Sequence, residues 1–232
     1  MDISEDIVYH PIDDSSFGNV RQLDPSPILE AILFWGPATN GTVHWRTSYA
    51  FTADSESATK FRGISLDMYM PKRHIYQQPN MINNFGTLKL TARRGALTSS
   101  RTSVMQKIPF NKPITVTQLL DAVEKHNLQH YQFNADAQSG CLFWQLSLLN
   151  KLVSLGWIPM TTIEEIQKKI EEFRSKSAAN QQIIPYPPVQ GTFYNPRDEI
   201  GFFREYADDQ VRKSDERTEA AHAEFRIFVY YF

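Results

Sequence analysis

The sequence predicts an α+β protein in which an antiparallel sheet packs on a central buried helix. Three observations predict it: period-two alternation in segments between Pro25 and Phe110, a switch to helical period after Pro113, and a stretch from Cys141 to Leu155 that is apolar on most sides. The bulk composition agrees. With 41% hydrophobic and 22% charged residues over 232 positions, the chain can bury a sizeable core and is not disordered throughout. Its 10 Gly and 13 Pro show no period, which excludes collagen and repeat architectures.

Strands are expected at Ile28 to Trp35, Thr42 to Phe51, Ile64 to Met70, Gly86 to Arg93 and Ser103 to Phe110. In the second, Val43, Trp45, Thr47, Tyr49 and Phe51 share one face, and His44, Arg46, Ser48 and Ala50 share the other. The third repeats the pattern, with Ile64, Leu66, Met68 and Met70 opposite Ser65, Asp67 and Tyr69. The polar stretch Thr52 to Gly63 between them suits a hairpin loop, so the two should pair antiparallel. Val116, Leu119, Leu120 and Val123 then mark a helix to about His126, capped by Thr115 or Thr117. Tyr131 to Asn134 reads as a short strand and Ala135 to Gly140 as a polar turn.

The helix from Cys141 is the most informative element. Ser147, Asn150, Lys151 and Ser154 form one narrow polar stripe, and Gly156 supplies the stop. Thr161 to Ser177 reads as a charged surface helix whose apolar stripe is Ile163, Ile166, Ile170 and Phe173. Pro185, Pro187 and Pro188 stiffen a connector. The expected organisation is an N-terminal arm over 1–24, the α+β domain over 25–184, and a C-terminal extension over 185–232. That extension holds a helix around Asp198 to Arg212 and ends in FRIFVYYF, an apolar tail expected to dock as a final strand or to contact another chain as an oligomer.

Several function classes drop out. The longest apolar runs, Ala31 to Trp35 and Ile227 to Phe232, fall far short of the roughly 18 to 20 residues of a membrane-spanning helix. The acidic opening MDISEDIVYHP lacks the basic and apolar regions of a secretory signal, so a cytoplasmic location is expected. A charge balance of 24 basic to 26 acidic residues, with only Lys89, Arg93, Arg94 and Arg101 clustered, argues against nucleic acid as a partner. No phosphate-binding glycine motif is present. His10, Asp13 and Asp14 read as solvated charge and His126 and His130 lack a metalloprotease context, so neither metal nor cofactor is expected.

What remains is Cys141, the only cysteine. A thiolate is favoured at a helix N-terminus, where backbone N–H groups and the helix dipole stabilise negative charge. A histidine can take the thiol proton, and a third polar group can fix the imidazole. His44 and Asp67 are the candidates, because strand pairing can bring them to one side. The order HWRTSYAF, SLDMYMP, VTQLLDAVEKH and YQFNADAQSGCLFWQLSLLNKL resembles the circularly permuted papain-like proteins of the NlpC superfamily, including the lecithin retinol acyltransferase group. The chain is also similar to uncharacterised fungal proteins that carry the same HW and GC-x-x-W arrangement.

The resemblance spans roughly Thr42 to Gly156. It implies a permuted papain-like fold and a thiol-dependent acyltransferase or amide/ester hydrolase, with Cys141 as nucleophile, His44 as base and Asp67 as orienting group. The substrate would be a small-molecule or peptide acyl compound. Gln138 is a candidate oxyanion donor beside the Cys141 N–H. The sequence departs from the acyltransferase group in having Gly140 where Asn usually precedes the cysteine, and Asp67 where a second His is usual. The alternative is a non-catalytic binding module that keeps the fold, since Cys141 shares a helical row with Gln145, Leu148, Leu152 and Leu155 and could simply be core.

Overall fold

The structure is a computed structural model that describes residues 6–8, 27–38, 44–70, 85–100, 102–134, 140–178 and 187–195. Its strands are β1 (Asp6–Val8), β2 (Ile28–Ala38), β3 (Arg46–Phe51), β4 (Gly63–Tyr69), β5 (Thr87–Arg93), β6 (Thr102–Thr115), β7 (Tyr131–Gln132) and β8 (Thr192–Phe193). The helices are α1 (Ala53–Thr59), α2 (Val116–Lys125), α3 (Cys141–Ser154) and α4 (Thr162–Ala178). Six strands form one sheet in the order β1-β5-β4-β3-β2-β6, with every neighbour antiparallel. The fold is therefore a mixed α+β arrangement built on an antiparallel sheet.

Alternation decides which face of the sheet is apolar. Ile32 and Phe34 of β2, Tyr49 of β3, Ile64, Leu66 and Met68 of β4, and Leu88 and Leu90 of β5 are all buried. They form one core with Leu119, Leu120 and Val123 of α2 and with Trp144, Leu148, Leu149 and Leu152 of α3. The opposite face of β3 and β4 is buried as well. Ser48 Oγ donates to Leu97 O at 2.6 Å, and the indole N–H of Trp35 donates to Ser48 Oγ at 3.1 Å.

The expected hairpin loop between β3 and β4 is instead the helix α1. It buries no side chain and rests on its caps: Thr52 Oγ1 accepts from the Ser55 N–H, and Lys60 closes the end with φ of 65° while its N–H donates to Glu56 O. Without an apolar stripe, the sequence carried no helical period to read. The N-terminal arm also contributes structure, since Asp6–Val8 pair with Lys89, Leu90 and Thr91 of β5. β6 runs beyond Phe110 to Thr115, where Thr115 and Gln118 form a reciprocal capping box at the start of α2.

α4 lies against β6, with Lys169 Nζ donating to Met105 O and Ile166 and Ile170 buried beneath. Two compact units divide the chain at Met1–Tyr194 and Asn195–Phe232. The first ends beyond the expected 184 because Thr192 and Phe193 pair with Gln132 and Tyr131. The expected helix around Asp198 to Arg212, the aromatic tail, and His10, Asp13 and Asp14 lie outside the described residues. Among the described residues no helix is long and apolar enough to cross a membrane.

Candidate active site

β3 and β4 pair with Ala50 opposite Gly63, Tyr49 opposite Ile64, Ser48 opposite Ser65 and Thr47 opposite Leu66. One more step of that register sets Arg46 opposite Asp67, with His44 two residues further along the same face. Regular β3 begins only at Arg46, so His44 stands at the strand's end rather than within the ladder. Trp45 anchors the position. Its ring is 1% exposed and stacks on Phe34 at 5.3 Å.

The side chains meet as the register requires. His44 Nε2 lies 2.5 Å from Asp67 Oδ1 and Arg46 Nε lies 2.9 Å from Asp67 Oδ2, so one carboxylate faces two cationic groups. Arg46 pairs by charge rather than by an aligned N–H, and its guanidinium also sits over the Trp35 ring, 5.5 Å from the centroid. The Cys141 side chain is the other hydrogen-bonding partner of the His44 imidazole. The structure thus brings Cys141, His44 and Asp67 together, with the His44 imidazole between the other two.

Burial by itself lowers the His44 pKa. The hydrogen bonds to Asp67 and Cys141, with the charges of both, outweigh it and raise the imidazole from 6.5 to about 9. His44 is therefore an imidazolium at neutral pH, and its Nε2–H donates to Asp67 Oδ1. The site is recessed: the His44 side chain is 25% exposed, that of Asp67 12%, and Cys141 as a residue 7%.

Cys141 opens α3, as its place before a long apolar run predicts. Gly140 in front of it has φ of +146°, a conformation that side-chain-bearing residues rarely adopt, and a Cβ there would lie 2.6 Å from the Tyr131 hydroxyl. A residue with a side chain would be strained here and would crowd Tyr131 and Phe133. Tyr131 Oη–H donates to Gly140 O at 3.1 Å, and burial raises the pKa of that phenol. Gly140, the N-cap of α3, has no side chain with which to cap the helix. Trp144 fixes the helix by donating its indole N–H to Leu128 O at 2.6 Å.

Gln138 lies outside the described residues, as does most of the loop between Met70 and Gly86. Among the described residues no group of three or more His, Cys, Asp or Glu side chains is arranged to hold a metal ion. Sequence reasoning missed two neighbours of the site. Arg46 could have been found from the register, which sets it opposite Asp67. Tyr131 could not, because nothing in the sequence ties it to Gly140.

A family model described as a domain of unknown function (DUF7770) matches residues 35–194, more than half of the chain. The chain belongs to that family. The DUF7770 match takes in His44, Asp67 and Cys141 and ends at Tyr194, where the first compact unit ends. No curated protein and no solved structure matches the chain.

Proposed function

We propose that this DUF7770 protein is a thiol-dependent acyltransferase or amide/ester hydrolase built on a circularly permuted papain-like domain. One observation carries the reading: a single imidazole, that of His44, is bonded both to the Asp67 carboxylate and to Cys141. An imidazolium that persists to about pH 9 is the cation against which a Cys141 thiolate is stabilised.

In the reaction, the Cys141 thiolate, whose proton already resides on the His44 imidazolium, attacks a carbonyl carbon of an acyl substrate. The oxyanion that forms is stabilised by N–H groups at the start of α3, with Gln138 as a candidate side-chain donor. As the tetrahedral intermediate collapses, the bond to the leaving alcohol or amine breaks and His44 returns the proton to it. The resulting thioester is then cleaved by water or by an acyl acceptor, again deprotonated by His44. Asp67 keeps the imidazole aligned and stabilises its charge throughout.

Alkylation tests this directly, since iodoacetamide can label no other cysteine. Labelling of the native protein near neutral pH should be fast, and His44→Ala should slow it by roughly a hundredfold, the scale of a lost general base. Slow labelling until the protein unfolds, indifferent to His44→Ala, would sink the mechanism. The 7% exposure of Cys141 favours a second reading, a non-catalytic binding module in which the thiol is a packed core group. That second outcome is the one it requires.

A further inference from the structure

Gln145 is the one amide on the otherwise apolar side of α3, one turn after Cys141, and it is 0% exposed. Its Nε2 donates to two backbone carbonyls, Trp45 O at 3.4 Å and Leu66 O at 3.3 Å. Those two residues are the immediate chain neighbours of His44 and Asp67. A single side chain therefore ties the helix that carries the thiol to the backbone beside the imidazole and to the backbone beside the carboxylate.

Packing does not account for this residue. A leucine would fill the same row without desolvating an amide, and Gln145 Oε1 finds no hydrogen-bond partner among the described residues. The contacts fall at the end of the β3–β4 pairing: Leu66 belongs to its last pair, opposite Thr47, and Trp45 lies beyond it, before the first residue of β3.

We propose that Gln145 is a positioning residue that sets the spacing of His44 and Asp67 relative to Cys141. This rests on the thiol reading above and adds to it a residue that touches none of the reacting atoms. Without the amide, His44 stays buried but its bonds to Asp67 and Cys141 loosen, so the interactions that raise its pKa weaken while burial continues to lower it.

The test uses the full chain and two near-isosteric variants, Gln145→Met and Gln145→Glu. Methionine keeps the volume and removes both donors. The introduced carboxyl, enclosed beside two carbonyls, stays protonated and can donate one hydrogen bond. His44 is titrated by NMR, Cys141 is labelled with iodoacetamide near neutral pH, and folding is checked by circular dichroism. Folded Gln145→Met should show a His44 pKa well below about 9 and labelling slowed about tenfold or more, with Gln145→Glu between it and the wild type. A destabilised but otherwise passive core substitution would move neither value in the folded state. Wild-type values in folded Gln145→Met, or in Gln145→Glu should the methionine variant not fold, would overturn the inference alone. A wild-type protein without a raised His44 pKa or His44-dependent labelling would overturn the thiol reading along with it.

Discussion

The two ends of the β3–β4 pair are built from the same alternating strands and yet do different work. At the end toward Ala50 and Gly63 the ladder is continuous, and Tyr49 and Ile64 face each other with 0% exposure. At the other end pairing stops at Thr47 and Leu66, and the next residues outward are Arg46, His44 and Asp67. A paired strand fixes each side chain to one face, which suits a core. His44 lies before the first residue of β3, and its imidazole reaches a third element, the start of α3, while Asp67 stays paired with Lys89 of β5. On the thiol reading proposed above, the contrast separates stability from chemistry along a few residues of the same strand.

The largest expected effect tests the core end. Ile64→Ala removes a completely buried aliphatic side chain and should cost about 2–5 kcal/mol, read as a lower denaturation midpoint. Cys141 labelling in the folded fraction should keep its wild-type rate, because Ile64 pairs with Tyr49, away from the end of the ladder that carries the site. A matching loss of labelling rate would show that the two ends are not separable.

The next effect belongs to the site end and depends on pH. Folded His44 holds its proton to about pH 9, whereas the unfolded imidazole releases it near 6.5. The stabilisation from this group is therefore complete below pH 6.5 and is lost as pH rises through about 9. Its size is on the order of 3 kcal/mol, from the energy of a pKa shift between the two states. Urea midpoints should fall across that window in the wild type, and Asp67→Asn should flatten the fall by removing the main carboxylate partner. An equally steep fall in Asp67→Asn would mean that Asp67 does not hold the His44 proton.

The difference between the two ends also explains what the sequence made legible. β2 to β6, α2 and α3 were readable because burial imposes a period, and Trp45 and Trp144 are large apolar anchors that fit it, whereas β1 and β8 are too short to show one. His44 and Asp67 could be set on one face from alternation alone. Their meeting with Cys141 could not, since no local pattern specifies how close a strand end comes to a helix start roughly a hundred positions later in the sequence. α1 escaped because it rests on Thr52 and Lys60 caps rather than on an apolar stripe. Gln145 was visible only as a polar exception on an apolar helix, and its two carbonyl partners lie 100 and 79 positions away.

The smallest effect concerns Arg46, whose role turns on the sign of a shift. Its side chain is 35% exposed, so its pairing with Asp67 is partly screened and should contribute less than about 1 kcal/mol to stability. Arg46→Met keeps an aliphatic stem against Trp35 and removes the charge. If the guanidinium mainly competes with the imidazolium for the Asp67 carboxylate, its loss leaves that charge to His44 alone. The His44 pKa should then rise by a few tenths of a unit, as expected for removing one partly screened cation. If Arg46 instead mainly holds the carboxylate in the orientation that His44 needs, the same substitution lets Asp67 rotate away and the pKa falls. The separation of 2.9 Å without an aligned N–H favours charge competition over orientation, so a rise in the NMR titration of Arg46→Met is the expected result. A fall would place Arg46 with Gln145 among the residues that hold the site in shape.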